Sequence, residues 1–104
     1  TIRHMLRHVV LLRFTGDDAE DIALVVDEVA EALRGLPGQI PAIREYSVQL
    51  DAGLAHDNAH LAVIADFDDE AGYAAYLRHP AHVDVLERLI RPSLALRLAS
   101  QFPV

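Results

Sequence analysis

The order in which strand-like and helix-like hydrophobic patterns follow one another constrains this chain more than any other feature. Residues 5–14 contain a nearly continuous apolar run, and residues 22–33 then carry apolar side chains at the spacing of an amphipathic helix. Two further strand-like segments follow at residues 43–50 and 60–67, and a last one at residues 94–102 comes after a second helical region. We therefore expect four strands with two helical connections.

That order is typical of the ferredoxin-like βαββαβ sandwich, an α+β fold in which helices pack on one face of a four-stranded antiparallel sheet. The second helical region spans residues 68–90 and contains Pro80, which disfavours helical backbone in the residue before it. We expect this second helix to be broken at His79-Pro80. The residues beyond the break that we expect to face inward are Val83, Leu86 and Ile90.

Alternation along the first strand separates its two faces. With a period of two residues, Val9, Leu11 and Arg13 share one face, and the opposite face should lie under the helices. The unbroken apolar run of residues 9–12 predicts a strand covered on both sides. Because helices cover only one side of the sheet, we expect a second copy of the chain to cover the other in a symmetric homodimer. The residues expected on the helix-covered face are His8, Val10, Leu12 and Phe14.

The composition excludes several classes of function. The 16 acidic and 9 basic residues give a net charge of −7, so nucleic acid and anionic membrane surfaces are not expected partners. All basic residues are Arg, which excludes a lysine Schiff base, and the absence of Cys excludes disulfides and thiolate nucleophiles. We expect a single domain over residues 1–104, and a cytoplasmic location because no signal-like or membrane-spanning segment occurs.

The segment from Tyr76 to His82, Tyr-Leu-Arg-His-Pro-Ala-His, concentrates the side chains suited to chemistry. Pro80 places His82 in the first helical turn beyond the break, where the positive end of the helix opposes protonation of an imidazole. A neutral imidazole is the form that a general base needs, and Tyr76 is positioned to hydrogen-bond His82 or a substrate oxygen. The same residues are typical of packing and capping at a helix junction, so both interpretations stay open.

Six histidines raise the question of a metal site. His79 and His82 stand three residues apart, but Pro80 separates them and no carboxylate stands at helical spacing on the required side. The acidic residues Asp68 and Asp69 fit the first turn of a helix better than a pair of catalytic carboxylates. We therefore expect no metal ion.

Four segments resemble one known family along nearly the whole chain. They are residues 8–14 (His-Val-Val-Leu-Leu-Arg-Phe), the connection from Leu36-Pro37 to Ile43, residues 61–67 and, most specifically, Tyr76 to His82. In these segments the chain is similar to the stress-responsive dimeric A/B barrel (Dabb) domain family. The resemblance implies a homodimer whose two sheets form an α/β barrel, with a pocket in each subunit between the sheet and its helices.

The family includes a plant polyketide cyclase whose catalytic tyrosine and histidine occur in the same Tyr-x-x-His-Pro-x-His pattern. The resemblance implies a cofactor-independent aldol cyclisation of a polyketide-like or phenolic substrate, with His82 as general base and Tyr76 positioning the oxyanion. A non-catalytic, stress-responsive binding dimer and a cofactor-free monooxygenase are the alternatives. The other residues expected to line the substrate pocket are His8, Val10, Leu12, Leu61, Val63, His79 and Leu86.

Three positions depart from the family pattern. His60 falls one position away from a pocket histidine of the plant enzyme, so Leu61 takes that place and His60 is expected to face the other side of the sheet. Gln49 stands where the family commonly has Gly, and Gln101 stands where it commonly has an acidic residue. We therefore expect the pocket rim and the last strand to differ from those of the plant enzyme.

Overall fold

The computed structural model describes residues 4–104, so the start of the expected domain at residues 1–3 lies outside the described residues. Within that range, four strands and three α-helices alternate much as the hydrophobic patterns predict. In chain order they are β1 (Leu6–Phe14), α1 (Ala19–Arg34), β2 (Glu45–Leu50), β3 (Leu61–Phe67), α2 (Glu70–Arg78), α3 (Pro80–Val85) and β4 (Leu94–Pro103).

The four strands form one antiparallel sheet in the order β2-β3-β1-β4. β1 lies inside the sheet, whereas β2 and β4 are its edges. The expected ferredoxin-like βαββαβ fold is confirmed, since each helical connection joins strands that do not neighbour each other. No helix within residues 4–104 is long and apolar enough to cross a membrane.

Helix α1 has favourable residues at both ends. The Asp18 carboxylate accepts a hydrogen bond from the Glu20 backbone N–H at 3.0 Å, and Gly35 follows the last turn. The apolar stripe of α1, which includes Val29 and Leu33, is buried against the sheet. This packing fixes one wall of the space between helices and sheet.

The second helical region is broken where the proline predicts. Helix α2 ends at Arg78, and His79 adopts an extended conformation with φ −62° and ψ 133°, as expected for a residue before proline. Helix α3 begins at Pro80, and the imidazole Nδ1 of His79 accepts a hydrogen bond from the Ala81 N–H at 3.1 Å. The expected break is therefore confirmed, and His79 caps the helix that begins after it.

The expectation that Val83 faces inward is wrong. Val83 is 40% exposed, whereas Val85 is buried. The helix starts anew at Pro80, so its inward positions are set by the break rather than by continuation of α2. A single π-helical turn (Leu86–Ile90) then shifts the phase again, and a 3₁₀ turn (Arg91–Ser93) leads into β4.

The helices cover one face of the sheet and leave the other open. The expected alternation along β1 is confirmed, because His8, Val10 and Phe14 are buried with Leu12 on the helix-covered face. A single chain does not cover the opposite face, so β1 is not enclosed on both sides within one subunit. The exposed apolar residues of this open face are Leu11, Ile64, Leu96, Leu98 and Phe102.

Polar contacts lie at both ends of the open face. At one end, Arg7 donates two hydrogen bonds to the nearly buried Asp66 carboxylate, at 2.8 and 2.9 Å. At the other end, Arg13 donates to the backbone carbonyls of Asn58 and His56. The guanidinium groups thus lie at the ends of β1, and Val9 and Leu11 lie between them on the same face.

His60 does not face the open side as expected. It precedes β3, which begins at Leu61, so the alternation of the strand does not fix its direction. Its Nδ1 accepts a hydrogen bond from the Phe14 N–H at 3.0 Å, and the two rings stack with centroids 6.3 Å apart. His60 therefore lies on the Phe14 side, at the end of the sheet.

Candidate active site

A cavity of about 310 Å³ lies between the helix-covered face of the sheet and the second helical region. Its floor comes from β1 and β3, and α2, α3 and the π-helical turn cover it. The exposed lining residues Leu77, Arg91 and Arg97 mark its mouth. A volume of this size lies at the lower end of the range for small-molecule sites.

Most of the expected pocket residues meet at this cavity. Leu61 does not line it, although it is buried in the same sheet beside Leu12, which does. His79 does not line it either, because its ring is turned to the backbone at the start of α3. The expected residues that do line the cavity are His8, Val10, Leu12, Val63, Tyr76, His82 and Leu86.

His82 is held in the tautomer that leaves one ring nitrogen available. Its Nδ1 lies 3.3 Å from the backbone carbonyl oxygen of Leu77, an acceptor, so Nδ1 carries the proton and Nε2 has the lone pair. Nε2 has no hydrogen-bond partner. Every buried side-chain nitrogen or oxygen atom within residues 4–104 does have one. The Nε2 atom must therefore be accessible, and His82 lines the cavity.

Burial is the main cause that keeps the His82 imidazole neutral. It lowers the pKa of His82 below its usual value, and the nearby Arg97 adds to this, while the Leu77 hydrogen bond acts in the opposite direction. The sequence-based argument predicted a neutral ring from a different cause, the positive end of the helix. At pH 7 the ring is thus an unprotonated base.

Tyr76 lies beside His82 but does not hydrogen-bond it. The two ring centroids are 4.2 Å apart, whereas the Tyr76 hydroxyl lies 2.9 Å from the hydroxyl of Tyr46 on β2. The Tyr76 ring also packs on Phe67, with centroids 5.1 Å apart, which fixes its orientation. Burial raises the pKa of Tyr76, so the phenol stays protonated and can donate a hydrogen bond.

His8 contributes a second neutral imidazole to the cavity. The Gln101 side-chain Nε2 lies 2.8 Å from His8 Nδ1, so the amide donates and the proton of His8 sits on Nε2. Burial, helped by Arg97 and His82, lowers the pKa of His8 to about 4. Gln101, the position that departs from the family pattern, therefore sets the tautomer of a cavity histidine.

The charged side chains of the cavity are all cationic. Two of its lining residues, Arg91 and Arg97, carry guanidinium groups, and no lining residue carries a carboxylate. Arg91 pairs with Glu87 outside the cavity at 2.7 Å. Within residues 4–104, Arg97 has no hydrogen-bond or ion-pair partner. The mouth of the cavity thus holds one unpaired positive charge.

The sequence argument missed several of these residues. Alternation on β2 places Tyr46 on the same face as Val48, and that was the available signal, but its contact with Tyr76 depends on how α2 lies on the sheet. Arg97 became visible only through the register Leu12↔Arg97, which a bulge near Phe14 shifts. The cavity residues outside the predicted pocket set are Leu33, Leu77, Ile90, Arg91, Leu94 and Arg97, of which Ile90 was expected to face inward.

The structure does not bring metal ligands together in the part of the chain that it describes. Residues 4–104 contain no group of three His, Asp or Glu side chains that could hold an ion. His79 uses its Nδ1 as a helix cap, and His82 uses its Nδ1 on Leu77, so this pair does not form a chelate through these atoms.

Solved structures with the same fold include several dimeric proteins. A dimeric ferredoxin-like protein from Thermobifida fusca is 40% identical, with a TM-score of 0.82, and the match covers 97% of this chain and 92% of that one. A dimeric protein of ferredoxin-like fold from Bacteroides fragilis is 25% identical, with a TM-score of 0.87 and 96% of each chain covered.

A more distant similarity is to a hydroxynitrile lyase from Passiflora edulis, which is 15% identical. Its TM-score is 0.80, and the match covers 99% of this chain and 95% of the lyase, so the two proteins share the fold. No curated protein sequence matches this chain significantly. The profile of the stress responsive A/B barrel domain matches residues 6–104, almost the entire chain. The chain therefore belongs to the stress responsive A/B barrel (Dabb) domain family.

Proposed function

We propose that this protein is a small, cofactor-independent, cyclase-like enzyme that forms carbon–carbon bonds in a polyketide-like or phenolic substrate. One observation carries the proposal: the Leu77 carbonyl holds the Nδ1 proton of His82, which leaves the basic Nε2 accessible in a largely apolar cavity. A neutral, oriented imidazole beside a protonated phenol is suited to removing a proton next to a carbonyl group.

The proposed reaction is an intramolecular aldol addition. His82 Nε2 takes a proton from a carbon next to one carbonyl, and the resulting enolate carbon attacks a second carbonyl of the same molecule. One carbon–carbon bond forms, and the alkoxide then takes the proton back from the imidazolium, so no atom is gained or lost. This step needs no oxidant or reductant.

Two donors are available for the oxygen that becomes negative. If the Tyr46 hydroxyl donates to Tyr76, the Tyr76 proton is free for the substrate, and Tyr46 acts as a positioning residue. His8 has its proton on Nε2, because Gln101 donates to Nδ1. Donors that are already oriented by neighbouring groups do not need to reorganise as charge develops, which is the usual source of such stabilisation.

We also propose that the active form is a homodimer joined through the open face of the sheet. On that face the paired residues Leu98 and Leu11 are 57% and 40% exposed, and they belong to a larger group of exposed apolar side chains of the kind that marks an interaction surface. The proteins from Thermobifida fusca and Bacteroides fragilis are both described as dimeric. A symmetric pair would bury the same face of both copies and leave the cavity on the far side.

The hydroxynitrile lyase gives a limited kind of support. Its fold is that of this chain, so a lyase can be built on this architecture, but function depends on the residues of the site rather than on the fold. A non-catalytic binding dimer stays the alternative, because His79 and Tyr76 also have structural roles at the helix junction and in the aromatic cluster.

Ring closure of linear tri- and tetraketide N-acetylcysteamine thioesters, followed by liquid chromatography, tests the proposal. We expect wild-type protein to accelerate cyclisation and His82→Gln to lose about 100-fold in kcat, the usual contribution of a general base. Tyr76→Phe should lose about tenfold or more because one hydrogen bond to the developing oxyanion is removed.

Tyr73→Phe is the matched control for Tyr76→Phe. The Tyr73 ring contacts His8 and Phe67, with centroids 4.9 and 5.8 Å away, but Tyr73 does not line the cavity. We expect Tyr73→Phe to retain wild-type turnover. Full activity of a folded His82→Gln variant would contradict the assignment of the base, and saturable binding without turnover by wild type would favour the binding dimer.

A further inference from the structure

The charges around the cavity have a consequence for the kind of molecule that fits it. We propose that the substrate carries a carboxylate at one end of an apolar body, and that Arg97 at the mouth of the cavity binds this carboxylate. The inference rests on the proposed function, which says that one end of the molecule reacts at His82. It adds that the other end carries a carboxylate.

The cavity lining is positively charged, whereas the chain as a whole is negatively charged. The protein has a net charge of −7, so a surface site chosen at random would more often be acidic than basic. The cavity lining nevertheless contains two arginines, two histidines and no carboxylate. A ligand with a negative charge therefore gains electrostatic energy at this cavity that most of the surface would not give.

Arg97 is the one cation at the mouth that has no carboxylate partner. The other lining arginine, Arg91, is satisfied by Glu87 at 2.7 Å. No ion pair or hydrogen bond within residues 4–104 engages the Arg97 guanidinium, although it is close enough to lower the pKa values of both His8 and His82. A guanidinium with its donors free can bind a carboxylate through two parallel hydrogen bonds.

The position of Arg97 on β4 keeps it on the cavity side of the sheet. It is paired with the buried Leu12 on β1, whereas its neighbour Leu98 is paired with Leu11 on the open face. Adjacent strand residues point to opposite faces, so a second copy that covers Leu98 leaves Arg97 accessible. The guanidinium and His82 thus share one cavity, with the charge at its mouth and the base inside.

The lining between these two ends is apolar. Val10, Leu12 and Val63 form its floor, and Leu86 and Ile90 lie on the helical side. This arrangement fits a molecule with an aromatic or aliphatic body, a carbonyl group near His82 and an anionic end near Arg97. A positive charge at the mouth also attracts such an anion before it enters.

Binding of matched acids and amides tests the inference without any reaction. The probes are 3-phenylpropanoate, 4-phenylbutanoate and 5-phenylpentanoate, each compared with its neutral amide by isothermal titration calorimetry at low salt. We expect at least one acid to bind wild-type protein about five- to tenfold more tightly than its amide, the contribution of a partly exposed charged hydrogen-bonded pair. Arg97→Gln should remove this preference and leave amide binding unchanged, while Arg97→Lys should keep part of it.

Arg78→Gln is the matched control. Arg78 is also exposed and also has no hydrogen-bond or ion-pair partner among the described residues, but it does not line the cavity. We expect Arg78→Gln to keep the preference for acids. Equal affinity for acid and amide in every pair, no binding of any acid, or a preference that survives Arg97→Gln would overturn the proposal.

The outcome is separable from that of the proposed function. His82→Gln should keep the acid preference in this assay even though it loses turnover, because the base and the guanidinium lie at different ends of the cavity. If the preference is present and His82→Gln shows wild-type turnover, the base assignment fails and the carboxylate site stands. If turnover depends on His82 but no acid preference exists, the base assignment stands and the carboxylate site fails.

Discussion

At the residue scale, His8 shows how burial converts a titratable group into a neutral hydrogen-bond donor. Its folded-state pKa of about 4 lies below the value of about 6.5 expected in the unfolded chain. The unfolded chain therefore binds a proton first as the pH falls, and stability contributed by neutral His8 is present above pH 6.5 and lost between pH 6.5 and 4. We expect wild-type protein to lose about 1 to 2 kcal/mol more than His8→Gln between pH 7 and pH 4.5, after allowance for screening by water in the cavity.

Urea unfolding at several pH values, at one fixed protein concentration, measures this difference. His56→Gln is the control, because it also removes one histidine, but from an exposed position in the loop before β3. An NMR titration of the His8 ring gives the same quantity directly. A midpoint near pH 6.5 would show that the ring is better solvated than its 2% exposure implies.

Individual site residues were predictable to different degrees. Strand alternation alone placed His8 on the cavity side, and the proline placed His82 near the start of a helix, because both depend on local geometry. The tautomer of His82 depends on the Leu77 carbonyl five residues earlier. The environment of Tyr76 depends on Tyr46, which lies on a strand distant in sequence. Such contacts follow from packing, which no local pattern contains.

At the element scale, the junction between α2 and α3 is held by one side chain. His79 Nδ1 accepts from the Ala81 N–H at 3.1 Å, so it satisfies one of the backbone donors that a helix start leaves unpaired. We expect His79→Ala to lower the free energy of unfolding by about 1 kcal/mol, the usual cost of removing a cap. His79→Asn should stay close to wild type, because asparagine is a strong cap.

Urea denaturation at pH 7 measures this effect for the two variants and wild type in parallel. Equal destabilisation by His79→Ala and His79→Asn would mean that the imidazole acts through packing rather than through the hydrogen bond. The π-helical turn after α3 was not foreseen, since the sequence Leu86–Ile90 has ordinary helical apolar spacing. Leu86 and Ile90, the first and last residues of this turn, both line the cavity.

At the scale of the whole molecule, the sheet separates two functions. One face carries the cavity, with buried His8 and Val10 on β1, while the other presents exposed Leu11 from the same strand. The order of elements and the apolar runs were sufficient to predict this division, because a strand that is apolar on both faces needs a cover on both sides. The strand β4 joins the two faces, since Arg97 lies on the cavity side and Leu98 on the open side.

The proposed dimer makes a specific prediction at this scale. Leu98 is 57% exposed in the middle of the edge strand β4, beside Leu11 on the open face, and an aspartate there would place a charge in the proposed interface of each copy. Burying an unpaired carboxylate costs several kcal/mol, so we expect Leu98→Asp to change the species from two chains to one at micromolar concentration. Sedimentation velocity measures the mass.

Leu24→Asp is the control, because Leu24 is 68% exposed on α1, away from the open face. We expect the Leu24→Asp variant to stay dimeric. A wild-type protein that sediments as one chain, or a Leu98→Asp variant that sediments as two, would rule out this interface, because the face would then meet water without a partner.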